Sequence, residues 1–275
     1  MPELPEVEQV RRELAPFLEG ARVRDVELRR ANLRTPFPPE FRERLLGQTV
    51  RALERRAKYL LASLSSGETL VMHLGMTGEF KVDVARRDAD PVAPDRHDHV
   101  IFTLDSGTRV TFNDARRFGF MDLVAAGALD AHPTIGGLGP EPLSEAFDAV
   151  ALARALRGKR TPIKVALLDQ AVVAGVGNIY ASEALHVARL SPFRKAATLA
   201  TPAGAPRETT GRLADAIRQV LRQAIARASR AGYRGARFRV YDRAGEPCLR
   251  RGCGGTIRRR TQAGRSTFWC PVCQR

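Results

Sequence analysis

All four cysteines of this 275-residue chain fall within its last 28 residues, as Cys248, Cys253, Cys270 and Cys273. Their spacing is C-x4-C, a sixteen-residue gap, then C-x2-C. Two such pairs, each on a tight turn, supply the four thiolates of a closed tetrahedral zinc site. Gly252, Gly254 and Gly255 give the first turn its backbone freedom. Two disulfides are the competing arrangement and would suit an exported chain. The N-terminus, however, alternates charges (Glu3, Glu6, Glu8, Arg11, Arg12) where an export signal is apolar. One structural Zn2+ held by the four cysteines is therefore expected. With no spare ligand nearby, the site reads as a staple and not as a catalytic centre.

The same end of the chain is strongly basic. From Arg230 to Arg275 there are twelve arginines and no lysine, opposed only by Asp242 and Glu246. Over the whole chain 45 basic residues face 30 acidic ones, a formal charge of +15. Such an excess points to a polyanionic partner, with nucleic acid first, because arginine's planar fork matches phosphate oxygens. The plain alternative for any charge run is a solvated face. No apolar run approaches the ~18 residues of a spanning helix, so no membrane partner is expected, and a cytoplasmic, nucleoid-associated location follows. Apolar residues make up 44% of the chain, which suits globular cores in two domains.

Taken in order, Val7, Val10, Leu14, Phe17 and Leu18 recur at three and four, one face of an amphipathic helix over Pro5–Leu18 ended by Gly20. Short alternating runs follow at Val23–Leu28, Thr49–Glu54, Tyr59–Leu64, Thr69–Leu74, Phe80–Val82, Val100–Leu104 and Val110–Phe112. With turns at Ser66-Gly67 and Ser106-Gly107, these predict a β-sandwich or barrel. Pro91 and Pro94 mark an irregular loop between residues 83 and 98. Four glycines and three prolines between Gly127 and Pro142 mark a boundary. Helical periodicity then covers Phe147–Leu156, Pro162–Gln170, Ile179–Ala188 and Leu213–Ala228, the last with Leu213, Ile217, Val220, Leu221 and Ala228 on one stripe. Thr201–Thr210 reads as a polar connection, and Phe238–Tyr241 and Thr267–Trp269 as strands carrying the cysteine pairs. The resulting division is a domain over 1–130, a linker over 131–145, a helical domain over 146–232 and a zinc hairpin over 233–275.

Three further stretches offer chemistry. In Met1-Pro2-Glu3-Leu4-Pro5-Glu6-Val7-Glu8, trimming of Met1 leaves a secondary amine, which can attack an aldehyde-like carbon to give an iminium electron sink. Glu3 beside it could pass protons; taken alone, the two prolines are equally those of a helix start. Gly175-Val176-Gly177-Asn178 lies between helices, where free backbone amides and an Asn178 cap make a phosphate seat or a plain turn. In Phe112-Asn113-Asp114-Ala115-Arg116-Arg117-Phe118-Gly119-Phe120, arginines between aromatics suit a wedge that fills the gap left by an extruded base, or a strand with core phenylalanines. Met76 in His73-Leu74-Gly75-Met76-Thr77-Gly78 has the same two readings. Lys58, ahead of Tyr59-Leu60-Leu61, should emerge at a strand end for phosphate contact or solvent.

Together these residues resemble the bacterial formamidopyrimidine-DNA glycosylase / endonuclease VIII family over nearly the whole chain. The most specific pieces are Pro2 to Glu8, Gly175-Val176-Gly177-Asn178-Ile179-Tyr180-Ala181-Ser182-Glu183, and Gly264-Arg265-Ser266-Thr267-Phe268-Trp269-Cys270-Pro271. The first two look more like the formamidopyrimidine branch. The resemblance implies an α+β fold of two domains: an N-terminal β-sandwich with an amphipathic N-terminal helix, and a C-terminal helix–two-turns–helix domain with a zinc-finger β-hairpin.

It further implies a bifunctional glycosylase and abasic-site lyase of base excision repair, acting on double-stranded DNA as a monomer. Oxidised purines (formamidopyrimidines, 8-oxoguanine) would be excised through a Schiff base on Pro2, and the strand cut by β,δ-elimination. By resemblance Pro2 is the nucleophile, Glu3 the acid/base, Lys58 the active-site lysine, and Asn178 and Arg265 the phosphate clamps. Lys164 is a phosphate-side lysine, and Met76, Arg116 and Phe118 fill the void. Two departures stand out. The first cysteine pair is spaced by four residues where many relatives have two. A short link over 231–237 also stands where the formamidopyrimidine branch carries a long loop over the extruded purine. The alternatives are an endonuclease VIII-like preference for oxidised pyrimidines or abasic sites, and a non-catalytic zinc-ribbon DNA-binding protein.

Overall fold

The computed structural model describes residues 2–84, 93–227 and 237–275. Met1, Pro91, Ala228 and the link 231–237 except Arg237 lie outside the described residues. Contacts divide the chain into two units, Met1–Gly136 and Gly137–Arg275.

In the first unit the opening residues build helix α1 (Leu4–Leu18), one residue earlier than the apolar period suggested. Glu3 is its N-cap: the Glu3 amide donates to Glu6 Oε2 at 3.0 Å, and the Glu3 side chain accepts from the Glu6 amide in a reciprocal capping box. Pro5 sits in the first turn, where a missing N–H costs nothing. Eight strands follow. Strands β1 (Val23–Leu28), β6 (Asp98–Leu104), β7 (Arg109–Asn113) and β5 (Glu79–Asp83) form one antiparallel sheet in that order. Strands β2 (Val50–Arg56), β3 (Tyr59–Leu64), β4 (Thr69–His73) and β8 (Phe120–Val124) form the other. Val26, Phe102 and Phe112 from the first sheet and Leu53, Leu60 and Met72 from the second share one core with Val7 and Leu14 of α1, which makes this unit the expected β-sandwich.

Helix α1 is fastened to the second sheet by charge. Glu8, nearly buried, accepts from Arg11 at 3.0 Å, Arg12 at 2.8 Å and Arg55 of β2 at 3.3 Å. Arg11 Nη1 also donates to Leu53 O at 3.3 Å. Burial alone would raise the Glu8 pKa, but the hydrogen bonds and charges of these arginines outweigh it and hold the carboxyl down to about 2.

The second unit contains α3 (Ala149–Leu156), α4 (Ile163–Leu168), α5 (Asn178–Val187), α6 (Glu208–Arg227) and the hairpin β9 (Arg258–Gln262) and β10 (Arg265–Trp269). The Asp148 carboxylate caps α3 by accepting from Ala151 N at 2.7 Å. Leu213, Ile217, Val220 and Leu221 form the buried stripe of α6. No helix among the described residues is long and apolar enough to cross a membrane.

Some expectations are corrected. Glu208–Thr210 belong to α6 and not to a connection, since buried Thr210 donates its hydroxyl to Leu199 O as the helix enters. Phe238–Tyr241 is not a strand, because its amides have another acceptor: Arg239 N, Val240 N and Tyr241 N all donate to the Glu183 carboxylate, at 2.8, 2.9 and 3.0 Å. The five-residue helix α2 (Phe41–Leu45), β8 and the arginine-rich β9 are elements that apolar periodicity did not mark.

The folded pKa of Glu8 lies below its unfolded value, so its stabilisation is complete above about pH 5 and is lost as pH falls towards 2. Glu8→Gln should cost about 1–3 kcal/mol at pH 7. Urea denaturation should show that deficit closing between pH 5 and pH 2.

Candidate active site and nucleic-acid interface

The Glu8–Arg55 bridge fixes the end of α1 that carries Pro2 and Glu3 against the hairpin that carries Lys58. Glu3 is buried and Pro2 half-buried. Lys58 stands in the turn between β2 and β3, at a strand end as expected, and of the two readings solvent exposure is the one the burial disfavours: it is 7% exposed, directly after Ala57, which turns the connection in the left-handed region (φ 53°). Arg55 Nη1 donates to Ala57 O at 3.1 Å and braces that turn.

His73 belongs to the same site, although no sequence motif marks it. It pairs with Tyr59 across β3–β4 and with Phe120 across β4–β8. Its ring lies 5.0 Å from that of Tyr59 and 5.6 Å from that of Phe120. Burial first, then the positive charges of Lys58 and Arg34, push its pKa down to about 4. The neutral ring accepts the Gly75 N–H on Nδ1 at 3.1 Å, which starts the Met76 turn. The only signal in the sequence was a histidine closing a strand just ahead of Gly75-Met76.

Met76 and Phe118 are among the few large apolar side chains left exposed. The Arg116 guanidinium stands 4.7 Å from the Phe118 ring centroid. These residues occupy two loops joined by one buried carboxylate. Asp114 accepts from Thr77 Oγ1 on one oxygen (2.5 Å) and from Gly119 N on the other (2.8 Å), while Arg116 N donates to Thr77 Oγ1 at 3.3 Å. The backbones approach so closely that a Cβ on Gly75 would lie 2.3 Å from the Phe118 carbonyl carbon. Phe112 is a core residue of β7. The aromatic-rich stretch thus divides between a core side chain and an exposed loop.

In the second unit Lys164, Asn178 and the β10 backbone form one network. Lys164 Nζ donates to Asn178 Oδ1 (2.6 Å), Ser266 O (3.0 Å) and Thr267 Oγ1 (2.8 Å). Asn178 Nδ2 donates to Ser266 O at 3.0 Å and has a second N–H to offer. Asn178 does not cap α5; Gly177 takes that position and Asn178 is the first helical residue. Gln170 holds the glycine turn, its Oε1 accepting from Gly175 N at 2.9 Å and its Nε2 donating to Val176 O at 2.9 Å. Arg265 is exposed beside the hairpin turn, where Ala263 (φ 45°) and Gly264 (φ 73°) join paired Gln262 and Arg265. Lys164 is 1% exposed and spends its protons on protein acceptors, so it props the parts that face outward.

The four cysteine sulfurs lie within 4.8 Å of one another, with Cys248–Cys273 at 3.9 Å and Cys253–Cys270 at 3.5 Å. These separations are far above the ~2.05 Å of a disulfide and near the ~3.8 Å between ligands of a tetrahedral zinc with ~2.3 Å Zn–S bonds. A Cβ on Gly255 would meet Cys270 Sγ at 2.6 Å, so that knuckle needs glycine. Val240, Ile257, Phe268 and Cys270 pack as a small core beside the cluster. The donor set fits one structural Zn2+.

Comparison with known proteins covers both units. Residues 1–121 match the formamidopyrimidine-DNA glycosylase N-terminal domain, 138–233 the H2TH domain of the same enzyme, and 245–275 a zinc finger found in FPG and IleRS. A formamidopyrimidine-DNA glycosylase of Rhodopseudomonas palustris (strain BisA53) is 55% identical over 293 aligned positions, and one of Beijerinckia indica is 54% identical over 288, each covering 100% of both chains. Crystal structures of the Lactococcus lactis enzyme bound to DNA with an abasic site, a FAPY-dG or an oxidised pyrimidine share 32% identity at TM-score 0.86, covering at least 99% of both chains. The Thermus thermophilus protein shares 39% identity at TM-score 0.82, over 99% of this chain and 98% of that one.

Asp114→Ala leaves the Gly119 amide and the Thr77 hydroxyl without their acceptor, a loss of about 2–3 kcal/mol for buried groups. Hydrogen exchange should speed at Gly119 and through residues 75–78, while α1 amides, remote from this carboxylate, keep their protection.

Proposed function

The chain belongs to the formamidopyrimidine-DNA glycosylase family, and on that premise we propose that it excises oxidised bases from double-stranded DNA and then cuts the strand, using its processed N-terminus. Pro2, exposed as a secondary amine once Met1 is trimmed, attacks C1′ of the damaged nucleotide. The C1′–N bond breaks and the base leaves with a proton. Glu3 serves as the acid/base of these transfers. Loss of the Pro2 N–H proton and opening of the deoxyribose ring at C1′–O4′, with O4′ taking up a proton, leave a C1′=N+ iminium. This acidifies C2′, so proton loss there expels the 3′ phosphate by β-elimination, and a second elimination expels the 5′ phosphate. The observation that carries the reading is the closed first turn of α1, which fixes a buried carboxylate on the residue next to the Pro2 nitrogen.

The other residues divide by charge and shape. Lys58 is the active-site lysine near the cleaved backbone; in the second unit the second N–H of Asn178 and Arg265 are the phosphate clamps on either side of the flipped nucleotide. Lys164 acts on that grip through Asn178 and β10. Met76, Arg116 and Phe118 fill the space the nucleotide vacates, as an apolar wedge with a cation over its ring does in an opened stack. Zinc supplies folding energy to the hairpin that bears Arg265 and takes no part in the chemistry. The protein works as a monomer in the cytoplasm, on nucleoid DNA.

Oxidised purines are the preferred lesions in this reading, in keeping with the relatives' shared name. The Lactococcus lactis protein was also crystallised with an oxidised pyrimidine, and the link over 231–237 of this chain is short. Greater turnover of thymine glycol than of 8-oxoguanine in a panel of single-lesion duplexes would move the assignment to pyrimidines.

Borohydride reduction with abasic DNA should trap the processed protein covalently. A form that retains Met1 should give no adduct and no nicking. Glu3→Gln should lower base excision by about 10²-fold or more with DNA affinity unchanged. Efficient trapping of the methionine-capped form would exclude Pro2 as the nucleophile.

A further inference from the structure

The zinc module is attached to α5 at three places, and one of them reaches the metal ligands. Near its start the Glu183 carboxylate receives three consecutive amides, Arg239 to Tyr241. At the hairpin Asn178 donates to Ser266 O. At the first cysteine knuckle, His186 in the last turn of α5 places Nε2 3.3 Å from Cys248 Sγ. His186 is 1% exposed, and its Nδ1 is buried with no hydrogen-bond partner among the described residues. A buried N–H without an acceptor costs more than a bare lone pair, so the ring proton belongs on Nε2, where an acceptor stands.

The knuckle answers in the other direction. Arg250 lies inside the Cys248–Cys253 turn, and its Nη2 donates to His186 O at 2.7 Å and to Val187 O at 3.4 Å. These carbonyls close α5, where a helix favours a cation. The same turn of helix therefore donates a hydrogen bond to a cysteine sulfur and accepts one from the arginine within that cysteine's own loop. A turn with two residues between the cysteines has less chain from which to send out such an arm.

We propose that His186 and Arg250 form a clasp between α5 and the zinc site, with His186 as an outer-sphere donor to the zinc-bound Cys248 thiolate and Arg250 as its positioning partner. Four thiolates around Zn2+ carry net negative charge, and an N–H aimed at one sulfur lowers its tendency to be protonated, displaced or alkylated. The inference rests on the zinc site and not on the glycosylase chemistry, so zinc retention tests it whatever the fate of the Pro2 assignment.

The experiment challenges the full-length, zinc-loaded protein with the chromogenic chelator 4-(2-pyridylazo)resorcinol, follows zinc release, and maps by mass spectrometry which cysteine iodoacetamide modifies first. His186→Phe keeps a buried ring and removes the donor; it should release zinc about tenfold faster or more, with Cys248 alkylated ahead of the other three. His186→Gln, which retains an N–H, should stay near the parent rate. Arg250→Ala should also speed release. Should His186→Phe not fold, His186→Leu serves in its place. The proposal is overturned if the donor-free variant keeps zinc like the parent, if His186→Gln releases it equally fast, or if alkylation spreads evenly over the four cysteines.

Discussion

The Asp114 side chain, fully buried, accepts from the Gly119 amide with one oxygen and from the Thr77 hydroxyl with the other. Two glycine-bearing loops meet on that carboxylate, and with the Arg116 N–Thr77 Oγ1 bond it helps to fix the places of the exposed Met76, Arg116 and Phe118. The same device recurs in the second unit, where Glu183 gathers three amides at the entry to the zinc module. It recurs again in the capping box of Glu3 and Glu6. In a chain with a formal charge of +15, these acidic groups are turned inward onto backbone donors and leave the arginines for the surface. Such bonds are charge-assisted and directional, so they fix loop geometry in a way that apolar contact alone does not.

Much of this was legible from local rules. The strands of the sandwich, the amphipathic α1 and the stripe of α6 follow from apolar spacing, and the metal cluster follows from four thiols at short intervals. What escaped was decided at a distance. Phe238–Tyr241 alternates like a strand, yet its amides are claimed by a carboxylate more than fifty positions earlier, which no local pattern encodes. β9 consists of Arg258-Arg259-Arg260-Thr261-Gln262 and forms only because β10 offers it a ladder. The burial of Lys58 depends on Ala57 adopting a positive φ, and no residue preference announces that conformation at alanine.

Among the site residues, residue type was easier to infer than partnership. The sequence around Asn178 predicts a helix cap with a donor to spare; its carbonyl is instead bound to Lys164 and one N–H to the hairpin. Lys164 looked like one more cation for phosphate, and the fold uses it to tie the glycine turn to β10. A positive charge in that position still adds to the local field, so support and attraction reside in one side chain.

The two-residue connection at Ala263-Gly264 has a further effect on what lengths the chain tolerates. Side chains along β10 alternate in facing, so Thr267 looks towards the Lys164 amine while Phe268 enters the small core beside the cysteines. One inserted residue there would exchange these facings along the whole strand, driving an aromatic ring against an ammonium group and a hydroxyl into a greasy slot. The cysteine knuckle imposes no such parity, so its turn closes on the metal over a range of lengths, four residues in this sequence. Variation in length among relatives should therefore collect at loops like that one and spare the hairpin tip.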